Sequence, residues 1–168
     1  MLSQVARGAG CLMLAMSLEG CETKEAKPIS MTGVVYNYTD KAVAAVRVNG
    51  LNVSAVMDGV DPGGVSGGAG ACCAQIKEGA TEAEVEVDFG DAKYTTQAKI
   101  EKWWPDLAHY AVVHVLPGKK VVVEVRSVEA WPRQDLMDQQ LKAAGLQKKV
   151  SFSGPMNTGP MERTDGVK

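Results

Sequence analysis

The 168 residues carry 18 basic and 20 acidic side chains, for a formal charge of −2. No strong basic patch marks a surface for nucleic acid or anionic lipid. The length suits one domain with a real hydrophobic core.

Residues 1–20 read as a lipoprotein signal peptide. Arg7 and the terminal amine supply the positive start, and Ala9 to Leu18 carry no charge. Gly20 is the small residue before the cut in Leu18-Glu19-Gly20-Cys21. The apolar stretch is far short of the ~20 residues that span a bilayer. An ordinary cleaved signal, or a buried helix with a stray cysteine, is the competing reading. Cys21 is the expected lipidation site, since multiple acyl chains anchor stably where one does not. Glu22 after it, in place of aspartate, points to the outer membrane, facing the periplasm. Residues 21–30 suit a short polar tether, and residues 31–150 a β-rich binding domain.

The domain opens with period-two alternation, the mark of half-buried strands. Val34, Tyr36 and Tyr38 share one face of a first strand. Ala44, Val46 and Val48 share one face of a second, which ends at the turn signal Asn49-Gly50. Six glycines between Gly59 and Gly70 interrupt any regular element and lead into a short strand from Ala71 to Ile76.

The clearest hairpin joins Ala83–Phe89 to Ala92–Ile100 through Gly90-Asp91. Its expected register sets Asp88 opposite Lys93 and Val87 opposite Tyr94, an ion pair and an aromatic/β-branched pair. Tyr110–Leu116 is apolar on both faces, as a central strand is. Pro117-Gly118 turns the chain into a strand with Val121, Val123 and Val125 facing the core and Glu124 and Arg126 opposite. One helix follows, with Pro132 near its start, Gly145 at its stop and Leu136, Met137, Leu141 and Ala144 as its apolar stripe. Residues 151–168, rich in Gly, Pro, Ser and Thr, read as a mobile tail. The expected fold is mainly β, a sandwich-like pair of antiparallel sheets with one C-terminal helix.

Chemistry-bearing residues are few. Cys11 leaves with the leader and Cys21 is acylated, so Cys72 and Cys73 remain. They form either a vicinal disulfide or two small buried thiols on opposite faces of a strand. The thiols are favoured, because neighbours on a strand point oppositely. His109 and His114, five apart, do not make one metal site without distant ligands, and one surface and one core histidine is expected. No metal or cofactor is implied. Gly64-Val65-Ser66-Gly67 lacks the strand–turn–helix setting of a nucleophile elbow and the Lys of a phosphate loop. A binding module is therefore the better class than an enzyme. Candidate partner-binding residues are Asp58 and Asp61 beside the glycine segment, and Trp103 and Trp104. Turn formation and core packing are the simpler roles for the two pairs.

Taken in order, Tyr36-Asn37-Tyr38-Thr39-Asp40, Val46-Arg47-Val48-Asn49-Gly50, a glycine run ending Cys72-Cys73, Trp103-Trp104-Pro105 and Val113-His114-Val115-Leu116-Pro117-Gly118 resemble a family of small bacterial lipoproteins of formerly unknown function. The resemblance covers roughly residues 31–126. Members are often encoded beside type VI secretion phospholipase effectors. It implies an immunity protein whose partner is a cognate lipase toxin. A structural or accessory envelope lipoprotein is the alternative, and a small enzyme or metal protein using Cys72, Cys73, His109 or His114 is a third.

Overall fold

The structure, a computed structural model, describes residues 26–147 and 152–166. The leader and Cys21 lie outside the described residues. Eight strands form one sheet: β1 (Pro28–Asn37), β2 (Ala45–Val48), β3 (Leu51–Asn52), β4 (Ser66–Lys77), β5 (Glu82–Asp88), β6 (Lys93–Ile100), β7 (Tyr110–Leu116) and β8 (Lys120–Arg126). Their order is β3-β2-β5-β6-β8-β7-β1-β4. Helix α1 spans Gln134–Ala143. The protein is mainly β with one C-terminal helix.

The expected pair of antiparallel sheets is corrected to a single curled sheet. Its edge strands β3 and β4 come together, and the Asn49 side-chain amide donates to the Gln75 carbonyl at 2.7 Å. Two pairs, β1–β7 and β6–β8, are parallel. Alternating strands present one apolar face, and curling buries it against itself without a second sheet. The interior is packed with small residues, among them Val35, Val46, Val85, Val113, Val115 and Val123. Each such valine contributes roughly 1.5 kcal/mol on full burial.

The β5–β6 hairpin has the expected register, with Val87 opposite Tyr94 and Asp88 opposite Lys93. The Phe89 amide donates to the Ala92 carbonyl across Gly90-Asp91. β7, between β8 and β1, is buried on both faces from Ala111 to Val115.

β4 departs from expectation. It begins at Ser66, inside the glycine segment that was expected to be irregular. Two register shifts against β1 absorb the extra residues, as bulges do. Gly67 has φ +106°, and a Cβ there would collide with the Val35 carbonyl oxygen and press on Met57. Glycine thus lets β4 close on β1 rather than interrupting it. One shift falls at Cys73, since Met31 pairs with Ala74 but Thr32 with Cys72. Alternation fails there, and the two cysteines, joined through a cis peptide, have their sulfurs against each other. The expectation of two buried side chains on opposite faces is corrected: Cys72 is exposed and Cys73 half-buried.

Outside the curled sheet, Val34, Tyr36, Tyr38 and Val112 form a second apolar cluster against Leu136 and Met137. α1 ends in a Schellman motif, with Leu146 N–H bonded to Leu141 O and Gly145 N–H to Lys142 O. Gly145 takes φ +68°, the left-handed conformation this cap needs. β1 starts at Pro28, so residues 28–30 belong to the sheet and not to the expected tether. The expectation of a mobile tail is corrected for residues 152–166. Asn157 is buried and exchanges backbone hydrogen bonds with Pro132 and Gln134, Phe152 and Met156 pack on the second cluster, and Arg163 forks onto Asp106.

Candidate functional site

Strand direction gives the barrel two ends. β1 has ten residues, which at about 3.3 Å each separates them by roughly 30 Å. At the amino-terminal end of β1, Pro28 pairs with Lys77, and the Trp103 indole donates to Ala80 O at 2.9 Å and closes the barrel. At the other end, the loop end, the Asn37 side-chain amide donates to Lys41 O and Asp58 O, each at 2.8 Å. The β5–β6 and β7–β8 turns and the C-terminus of α1 gather there too.

The four candidate partner-binding residues therefore do not form one surface. Asp58 and Asp61 are exposed at the loop end, where Asp58 fixes the chain through its carbonyl. Trp103 and Trp104 lie at the opposite end. Trp103 packs against the core cluster. Trp104 is half-buried between Lys102 and Arg163, whose cationic groups lie 5.3 and 5.9 Å from its ring centroid.

The two histidines are also apart in role. His109 is exposed, with Nδ1 2.7 Å from Ser127 O. His114 is fully buried on the outer face of β7, beneath α1. Among the described residues no three His, Cys, Asp or Glu side chains are placed to hold a metal ion.

His114 belongs to a polar network that the outer faces of β7 and β8 form with the segment leading into α1. The Arg133 backbone N–H donates to Tyr38 Oη at 2.8 Å, and Tyr38 Oη lies 3.0 Å from His114 Nδ1. Hydrogen-bond completeness then puts the Tyr38 hydrogen on the bond to Nδ1, and a hydrogen on Nε2 donates to Glu124 Oε1 at 2.5 Å. Glu124 Oε2 accepts from Arg126 at 2.8 Å and faces Arg133 at 3.4 Å. Burial pushes the Glu124 carboxyl upward, but the hydrogen bond from His114 and then the bond and charge of Arg126 outweigh it, so its pKa is lowered. Burial likewise opposes the Arg133 charge, yet Asp135, Glu124 and Glu101 hold its pKa above the usual value. Burial alone pushes the Tyr36 phenol up to about 12. The network resembles a catalytic relay in composition only. His114 and Glu124 are 0% and 1% exposed, so the network ties β7, β8 and the segment before α1 together away from solvent.

A cleft of about 390 Å³ lies between residues 126–129 and the tail at the Trp103 end, and the largest concave surface is at the loop end. A cleft of about 560 Å³ runs between α1 and the β7–β8 turn, with walls from Val60, Pro62, Leu116, Pro117, Leu136 and Ala143. A second, of about 540 Å³, lies across Pro62 against Leu141 and Leu146. A third, of about 260 Å³, shares Leu116 and Pro117 with the first and has Phe89 and Tyr94 among its lining residues. Lys41, Lys93 and Lys119 line the third and Lys120 the first, and Asp40 lines both. Apolar walls with a few polar groups at the rim are what ligand and partner clefts share.

Reasoning from sequence reached Asp58 and Asp61 but missed Tyr94, Lys120 and Gln140. Tyr94 read as a strand partner of Val87, which it also is, and Gln140 lay outside the apolar stripe that marked the helix. No local pattern signals that three turns and a helix end meet. No family model, no curated protein and no solved structure matches this chain.

Proposed function

We propose that this chain is an immunity lipoprotein, held at the outer membrane through Cys21 and facing the periplasm, that binds and neutralises a type VI secretion phospholipase effector. The observation that carries this reading is the ordered run of motifs from Tyr36 to Gly118. Most of those residues occupy the frame of the fold, while Asp40 and Pro117 reach the cleft walls at the loop end. Tyr36 and Tyr38 seat α1, Asn37 ties two loops together, Trp103 closes one end, and Val113–Leu116 lie in the central strand β7. A family likeness concentrated in the frame leaves loops, α1 and tail to set partner specificity. This is the division of labour expected of a set of inhibitors that each match one toxin.

Tethering places the inhibitor at the bilayer that the lipase attacks, which raises its effective concentration there. A binder neutralises such an enzyme by covering the active-site mouth or by holding a lid that must move. A tight interface buries roughly 1,600 Å² in all, within reach of a domain this size.

The test is protection. A lipase encoded beside this chain and directed to the periplasm lyses cells that lack the protein and spares cells that carry it. Equal lysis in both overturns the reading.

A further inference from the structure

Three clefts converge at the loop end, and two of them contain a buried polar atom without a partner. Gln140 lines the first cleft. Its side-chain nitrogen donates to Leu136 O at 3.3 Å, but its Oε1 is buried and accepts nothing. Tyr94 lines the third, and its hydroxyl is buried with neither donor nor acceptor. A buried polar atom left unpaired is costly, and native proteins leave few of them. The third such atom among the described residues, Arg126 Nε, stands alone at the cleft of the opposite end, whereas two in adjoining clefts mark the loop end as the surface that something else completes.

The remaining chemistry narrows what that is. The first cleft has apolar walls and room for a large side chain or a short loop. Lys41, Lys93, Lys119 and Lys120 line the first and third clefts against Asp40, so their shared rim is net basic, although Lys93 also lies 3.9 Å from Glu86 and Asp61 lines the second cleft. Lys119 already stands over the Tyr94 ring, 6.0 Å from its centroid. The chain enters the sheet at the far end of β1, so an amino-terminal anchor leaves the loop end directed away from its attachment.

We propose that the loop end is the docking surface for the protein partner, which inserts an apolar side chain carrying a hydrogen-bond donor between α1 and Leu116-Pro117, bonds Gln140 Oε1, and sets carboxylates against the lysine rim. This rests on the binding role proposed above and names its surface. Lysine-to-carboxylate pairs at the rim govern association rate and selectivity, and the filled cleft governs residence time.

The test uses the mature chain purified in detergent and the lipase encoded beside it, with affinity measured by titration calorimetry. Ala143→Arg fills the first cleft from an exposed helix position, and Lys120→Glu reverses the rim. Each weakens binding by about 30-fold or more, with an unfolding midpoint like the wild type's. Gln140→Leu separates docking from folding: it leaves the free protein as stable or more so, because an unpaired acceptor is gone, and weakens the complex about tenfold. Thr81→Arg, at the opposite end, binds within about threefold of wild type. Wild-type affinity in Ala143→Arg and Lys120→Glu overturns the surface, while the binding role stands. No binding by the wild type overturns both. A free protein that sediments as a dimer, dispersed by Ala143→Arg, shows instead that the end pairs with a second copy and likewise overturns the proposal.

Discussion

Glu124 carries its charge where only 1% of it meets solvent. The Coulomb attraction of Arg126 and Arg133, plus the hydrogen bond from His114, keeps it there against desolvation. Glu124→Ala leaves two buried guanidinium groups short of their counter-charge and is expected to cost about 3–5 kcal/mol in denaturant unfolding. Because the folded pKa is depressed, this stabilisation is fully present above the unfolded carboxyl value and is lost as pH falls through the folded one. Glu124→Gln therefore flattens the acid limb of the stability profile, and an unchanged acid limb contradicts this assignment. Alternation in the sequence put Glu124 and Arg126 opposite the β8 valines, and there they are. Their burial was not legible, because it is supplied by α1 and by Gly159 from the tail, some thirty residues further along.

Elements built from neighbouring residues were legible, and elements built from distant ones were not. The β5–β6 register follows from a two-residue turn and matched side-chain pairs, and the α1 stop from Gly145. The parallel pairs β1–β7 and β6–β8 depend on strands far apart in the chain, which no local pattern encodes. The glycines of β4 misled for a different reason. Glycine marks both an irregular loop and a strand that needs close approach, and only the Val35 carbonyl beside Gly67 tells them apart. Gly67→Ala is expected to destabilise by about 2–5 kcal/mol, through positive φ and overpacking together. Gly90→Ala, also at positive φ but with open space around it, is expected to cost about 1 kcal/mol. Equal losses on thermal unfolding would mean that the approach of β4 to β1 is not what requires glycine at position 67.

At the scale of the molecule, the curled sheet separates two ends. Trp103 closes the end where β1 begins, beside a cleft of about 390 Å³ under the tail, and the three joined clefts open at the other. Sequence reasoning reached both ends, through Trp103–Trp104 and through Asp58 and Asp61, but read them as one set, since chain order carries no record of which end a turn occupies. On the proposed lipoprotein reading, Cys21→Ser is expected to move the protein from the membrane to the soluble periplasmic fraction with its unfolding midpoint unchanged. Continued membrane retention would contradict the lipoprotein reading. Inhibition is the central claim, and titrating lipase hydrolysis of phospholipid vesicles with the purified chain measures it most directly. The account predicts a linear fall in activity, with an endpoint at a fixed molar ratio of the two proteins. Hydrolysis that continues undiminished at a large molar excess of the chain would contradict it.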